Sequence, residues 1–141
     1  MKLRAFLDTN VFIYAFEYPN SNSAKIIYLL NKGELRVVIS DRVIIEIYKY
    51  FKKYYNKKIA DTFRKYLLKT CIVIIKDLVT DKMAELKDKI KEKDLEQIAV
   101  VKKLNLKYLI SYDRDFENFE EYKTPKELLI ELRINYEKTE F

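Results

Sequence analysis

The chain is 141 residues long and carries 28 Lys and Arg against 22 Asp and Glu, a formal charge of +6. That length predicts one domain, residues 1–141, that needs no disulfides, and the charge favours a polyanionic partner, although a Lys- and Glu-rich surface is also how thermophile proteins stay solvated. Histidine is absent, cysteine occurs only as Cys71 and glycine only as Gly33, which excludes His triads and bases, His- or Cys-ligated zinc, a disulfide framework and Gly-rich phosphate loops.

The first residues, MKLRAFLD, lack the apolar core and cleavage site of a secretory signal. No segment approaches the roughly 20 apolar residues of a membrane span, so a cytoplasmic protein away from membranes is expected. Residues 3–7, LRAFL, read as a strand covered on both faces, and RVVI at 36–39, CIVII at 71–75 and YLIS at 108–111 have the same character. Between them lie helical patterns. Asp8, Thr9 or Asn10 is suited to cap a helix after the first strand, and Ser21 or Ser23 starts another that reaches about Lys32, with Gly33 just past its end.

A third helix runs from about Asp41 to Tyr55, with Ile44, Ile47, Tyr48, Phe51 and Tyr55 along one stripe. After a break near Asn56, residues 59–69 place Ile59, Phe63, Tyr66 and Leu67 on one side, and residues 81–91 and 94–104 supply two more helices. Thr124, Pro125 and Glu127 form a capping box that opens a last helix over LLIELRI. Strands alternating with helices predict an α/β fold around a mainly parallel sheet with right-handed crossovers.

In such folds ligands gather at the carboxyl ends of the strands, and four acids map there. Asp8 follows the first strand, Glu46 lies early in the helix after the second, Asp94 opens the helix leading to the last strand, and Asp113 follows that strand. Each also has a structural reading. Asp8 is an N-cap, Asp94 with Gln97 makes a capping arrangement, Asp113 fixes a turn with Asp115 as its neighbour and competitor, and Glu46 points away from the apolar stripe. Together they imply more, because clustered carboxylates at neutral pH require raised pKa values or a bound cation. An all-oxygen donor set suits Mg²⁺ or Mn²⁺. Such a metal activates water at a phosphodiester without a protein base, which accommodates the missing histidines.

The run from LDTNVFI, through Ser40 and Glu46, to DLEQIAVVKKL and LISYDRDF resembles the PIN-domain ribonucleases, the family that includes the VapC toxins of toxin–antitoxin pairs. The resemblance implies a three-layer α/β/α sandwich and Mg²⁺- or Mn²⁺-dependent RNA cleavage. It also implies an acidic quartet of Asp8, Glu46, Asp94 and Asp113, with Asn10 and Ser111 holding ligands or waters behind them. Ser111 stands where Thr is common, and KLNLKY lacks the frequent Gly. In the implied mechanism Asp8 and Asp94 are the main metal ligands, Asp113 completes the site, and Glu46 ligates or orients the attacking water. In-line attack then gives a 5′-phosphate product.

Lys49, Lys52 and Lys53, within YKYFKKYYNKK, are the expected RNA-guiding cations. A small antitoxin protein and a homodimer are possible partners by analogy with the toxins. The alternatives are a PIN nuclease of RNA processing or a catalytically silent RNA-binding PIN domain. A haloacid-dehalogenase phosphatase wants a second Asp where Asn10 stands.

Overall fold

The computed structural model describes residues 3–141; Met1 and Lys2, where the stretch read for a signal begins, lie outside the described residues. β1 (Leu3–Leu7), β2 (Leu35–Ser40), β3 (Ile72–Ile74), β4 (Tyr108–Ile110) and β5 (Tyr122–Lys123) form one sheet ordered β3-β2-β1-β4-β5, all neighbours parallel. It is sandwiched by α1 (Thr9–Glu17), α2 (Asn22–Asn31), α3 (Asp41–Tyr54), α4 (Lys57–Thr70), α5 (Thr80–Leu86), α6 (Glu92–Lys103) and α7 (Pro125–Glu131). This is the expected PIN-like α/β sandwich. No helix of the described residues is long and apolar enough to cross a membrane.

Three of the apolar runs behave as strands covered on both faces, with Ala5, Phe6, Leu7, Val37, Val38, Ile39, Leu109 and Ile110 all buried, whereas the CIVII run does not: β3 lies at the edge of the sheet and leaves Ile72 and Ile75 exposed. α6 is buried along its length from Asp94 to Val101 and packs on β1, β2 and β4. That packing delivers the helix N-terminus, with Asp94, to the carboxyl edge of the sheet. Strand order reverses between β1 and β4, and there Asp8 N–H donates to Ile110 O at 3.0 Å. A crevice opens at such a reversal because the connections on either side depart in opposite directions.

Most boundaries lie where the sequence puts them, and the exceptions have local causes. Gly33 takes φ 75° just past the end of α2, and the Thr124–Glu127 capping box opens α7. The break at Asn56 is itself a cap, whose side chain accepts from Ile59 N–H at 2.8 Å. α5 stops at Leu86 rather than near 91, because residues 87–91 turn the chain into α6. α6 begins at Glu92, so Asp94 is its third residue and not its cap; Lys91 takes the cap position without a side-chain bond. β5 has two residues, too few to show any periodicity. Tyr55 ends α3 and is exposed rather than part of the buried stripe. The last residues return across α2, where the buried Asn22 amide binds the backbone of Glu137 and Thr139, and Phe141 stacks on Tyr14.

Candidate active site

Asp8 is placed by the ladder between β1 and β4 and is 7% exposed. It caps α1 as expected, its Oδ1 accepting from Thr9 N–H at 2.8 Å. Its other oxygen accepts from Ser111 Oγ at 2.7 Å, and Ser111 Oγ in turn accepts from Asp113 N–H at 2.9 Å. Ser111 therefore ties the end of β1 to the end of β4. Asn10 joins the same two ends, Oδ1 accepting from Tyr112 N–H at 3.4 Å. Asp113 makes the expected turn, its Oδ1 accepting from Asp115 N–H at 2.9 Å, so its Oδ2 remains for other work.

Glu46 reaches the same place from α3. Its Oε1 accepts from Thr9 Oγ1 at 2.7 Å and its Oε2 lies 3.6 Å from Arg42 Nε, with the side chain 39% exposed. Asp94 comes from α6 and is only 4% exposed, and its Oδ2 meets no hydrogen-bond donor. The nearest cation, Lys93 Nζ, stands 4.0 Å from that oxygen. Beside it, the buried Gln97 Oε1 also has no partner. The four predicted acids thus line one cleft of about 230 Å³, together with Thr9, Asn10, Gln97, Arg42 and Lys93.

Electrostatics follow from this crowding. Burial pushes the Asp8 carboxyl above its ordinary range, opposed by the bonds from Ser111 and Thr9 and reinforced by the charges of Glu46 and Asp113. Asp94 is also raised, to about 7, by burial and then by the negative charge of Asp113, with a hydrogen bond to Asp115 holding the proton on Asp94. Burial opposes charge on Asp115 too, yet the bond from Asp94 and the cations Lys91 and Lys93 hold it below the usual carboxylate range. Oxygens of Asp94, Asp113 and Asp115 lie within 4.8 Å of one another.

Buried polar atoms are nearly always partnered, so Asp94 Oδ2 and Gln97 Oε1, both idle beside a carboxylate cluster, fit a site that takes a cation. The donors are all oxygen, as a hard divalent ion prefers. A larger groove of about 500 Å³ between α1, α2 and α4 is lined by Phe12, Phe16, Tyr28, Phe63 and Tyr66 and offers no carboxylate.

Sequence reasoning missed several residues of this cleft. Thr9 holds Glu46, yet within DTN it reads only as a cap. Arg42 and Lys93 line the cleft, whereas Lys49, Lys52 and Lys53 lie exposed farther along α3. Glu96 is a further buried acid, set against Ser40, Asp41 and the Arg42 backbone N–H, and burial raises its carboxyl. Its charge in an otherwise buried helix was the available signal.

The PIN domain family model matches residues 5–122, which contain all four acids. This chain belongs to the PIN domain family. A comparison with curated proteins gives no match. Among solved structures, a toxin–antitoxin complex from Klebsiella pneumoniae is 23% identical with a TM-score of 0.65, covering 87% of this chain and 98% of that one. VapBC2 from Rickettsia felis, bound to a promoter DNA fragment, is 19% identical with a TM-score of 0.64 over 86% and 98% of the two chains. VapC20 of Mycobacterium tuberculosis, a Sarcin-Ricin loop cleaving toxin, is 16% identical with a TM-score of 0.63 over 81% and 93%. At these identities the likeness is one of fold. The PIN domain described here shares the VapC architecture over most of both chains.

Proposed function

We propose that this PIN domain is a divalent-metal-dependent endoribonuclease and the toxin of a toxin–antitoxin pair. The observation that carries the nuclease reading is the convergence of Asp8, Glu46, Asp94 and Asp113 on one cleft at the strand-order reversal, with Asp94 Oδ2 buried and unpartnered. Asp8 and Asp94 would hold a Mg²⁺ or Mn²⁺ ion, with Asp113 completing the set. Bound there, the ion would offset the carboxylate repulsion and supply Lewis-acid activation of water and phosphate.

The remaining chemistry belongs to side chains. Glu46 is exposed enough to meet solvent and is held by Thr9 Oγ1, so it orients the attacking water at the cleft mouth. Asn10 and Ser111 fix the two strand ends from which Asp8 and Asp113 project. Arg42 supplies a cation for a phosphate, and Lys49, Lys52 and Lys53 extend positive charge along α3. The toxin reading rests on the likeness to structures described as toxin–antitoxin complexes. It assigns a small antitoxin protein as partner and allows a homodimer.

The test is incubation of the purified protein with assorted RNAs in Mg²⁺, Mn²⁺ or EDTA, with size-exclusion chromatography of the protein alone. Metal-dependent internal cleavage that disappears in Asp8→Asn and Asp94→Asn supports the proposal. Wild-type rates in both variants, with contaminating nuclease excluded, would remove it. The toxin assignment is checked by growth arrest on expression and its relief by a co-encoded small protein.

A further inference from the structure

Lys93 is the second residue of α6, next to Asp94, and its position is not that of an ordinary surface lysine. Its Nζ lies 4.0 Å from Asp94 Oδ2, 3.7 Å from Asp113 Oδ2 and 3.4 Å from Asp115 Oδ2. The oxygens of these three carboxylates gather within 4.8 Å, and two of the three, Asp94 and Asp113, belong to the set proposed above to hold a metal ion, so the ammonium stands against that set. It faces the idle oxygens: Asp113 Oδ1 is used by Asp115 N–H, and Asp94 Oδ2 has no donor. The contacts with Asp94 and Asp113 exceed the roughly 2.7–3.2 Å of a strong hydrogen bond, and the side chain is 58% exposed. A long flexible stem with a hydrated head, loosely paired, leaves such a place at little cost.

We propose that Lys93 is a built-in cation for the carboxylate cluster: it screens Asp94, Asp113 and Asp115 while no divalent ion is bound, competes with that ion for the same oxygens, and once displaced meets a substrate phosphate at the cleft mouth. The inference rests on the metal-site reading above and adds a regulator of that site's occupancy. It makes metal affinity a compromise between carboxylate attraction and an internal competitor. Losing the lysine therefore improves metal binding while impairing RNA binding, a combination that a purely structural ion pair does not produce.

The experiment is Mn²⁺ titration by calorimetry at low ionic strength, at pH 7.5, on the wild type, Lys93→Met, Asp94→Asn and Lys87→Met. Lys87 belongs to the same charge class but lines a separate cleft with Met83, Ala84 and Glu92. Lys93→Met is expected to bind Mn²⁺ at least about threefold more tightly, since removing a competitor returns its coupling free energy, while Lys87→Met binds like the wild type. RNA affinity of Lys93→Met, measured in Ca²⁺ to prevent turnover, should fall. Equal or weaker Mn²⁺ binding by Lys93→Met, with binding still lost in Asp94→Asn, overturns the role of Lys93 and leaves the metal site standing. Equal tightening in Lys87→Met reduces the effect to net charge and also overturns it. Failure of wild type and Lys93→Met alike to bind Mn²⁺ overturns the metal-site reading and this inference together.

Discussion

Asp94→Asn in metal-free protein separates the electrostatic cost of the cluster from its catalytic use. The Asp94 carboxyl titrates near 7 in the folded chain, against an ordinary 3.8, because it is buried beside Asp113 and shares its proton with Asp115. The unfolded chain therefore loses this proton first. Stability from the protonated group is complete below about pH 4 and declines as pH rises through 7. At about 1.36 kcal/mol per pH unit, the gap between 3.8 and about 7 amounts to at most about 4 kcal/mol at Asp94, and the opposite shift of Asp115 offsets part of it. Asparagine imitates the protonated acid, keeps a donor toward Asp115 and does not titrate. Thermal melts in EDTA should show wild type and variant diverging above pH 5, with the variant ahead at pH 8 by on the order of 10 °C. Saturating Mn²⁺ should restore the wild type and leave the variant unmoved, since only a ligand that binds the folded state raises its midpoint. Curves that run parallel from pH 4 to 8 would show that Asp94 does not carry this charge cost, and the account of the cluster would fail.

Ser111→Ala removes the donor to Asp8 Oδ2 and the acceptor for Asp113 N–H; unfolding in urea should register about 1–3 kcal/mol of lost stability, and RNA cleavage should fall with it. Thr9→Val keeps the shape but releases Glu46 Oε1, so the rate of cleavage should drop while Mn²⁺ affinity by calorimetry stays near that of the wild type. Asp8→Asn should abolish cleavage yet, because burial raises the Asp8 carboxyl despite the bonds from Ser111 and Thr9, leave the metal-free protein at least as stable as the wild type by urea unfolding at about pH 7.5; a clearly less stable variant would contradict that burial cost. Replacing Lys49, Lys52 and Lys53 together by Ala should flatten the salt dependence of RNA binding, and an unchanged slope would return them to solvation of α3.

What could be read in the chain depended on whether the signal was local. Covered strands show as unbroken apolar runs, and α7 announces itself through Thr124, Pro125 and Glu127. The ends of α5 and α6 did not, because Asp94 satisfies the cap rules by type while the packing of α6 on three strands sets where the helix begins. β5 owes its existence to pairing with β4 and has no pattern of its own. The four acids were legible because each sits at a fixed offset from a legible strand or helix. Thr9, Arg42 and Lys93 were not, since what they touch is decided by how α1, α3 and α6 converge, and many other lysines of the chain look the same in sequence.

The apparent choice between Asp8 as a cap and Asp8 as a ligand is dissolved by the geometry. A strand that ends at the strand-order reversal must start its helix there, and the exposed N–H groups of that first turn are best met by an acceptor such as Asp. Thr9 N–H and Ser111 Oγ each take one oxygen of Asp8, but a carboxylate has about four acceptor positions, so Asp8, which lines the cleft, keeps acceptor capacity on both oxygens. Asp113 repeats the arrangement at the end of β4, one oxygen turned back to Asp115 N–H and the other loosely paired with Lys93. The bonds that hold these two chain ends also fix the direction of the unused lone pairs, so folding and ligand placement draw on the same contacts. Asp94 lacks such a bond at Oδ2, and its burial beside Asp113 raises its carboxyl. Local capping can therefore account for where Asp8 and Asp113 stand, while Asp94, which caps no helix, is placed by the packing of α6 on the sheet and is the acid on which the proposed metal site most directly turns.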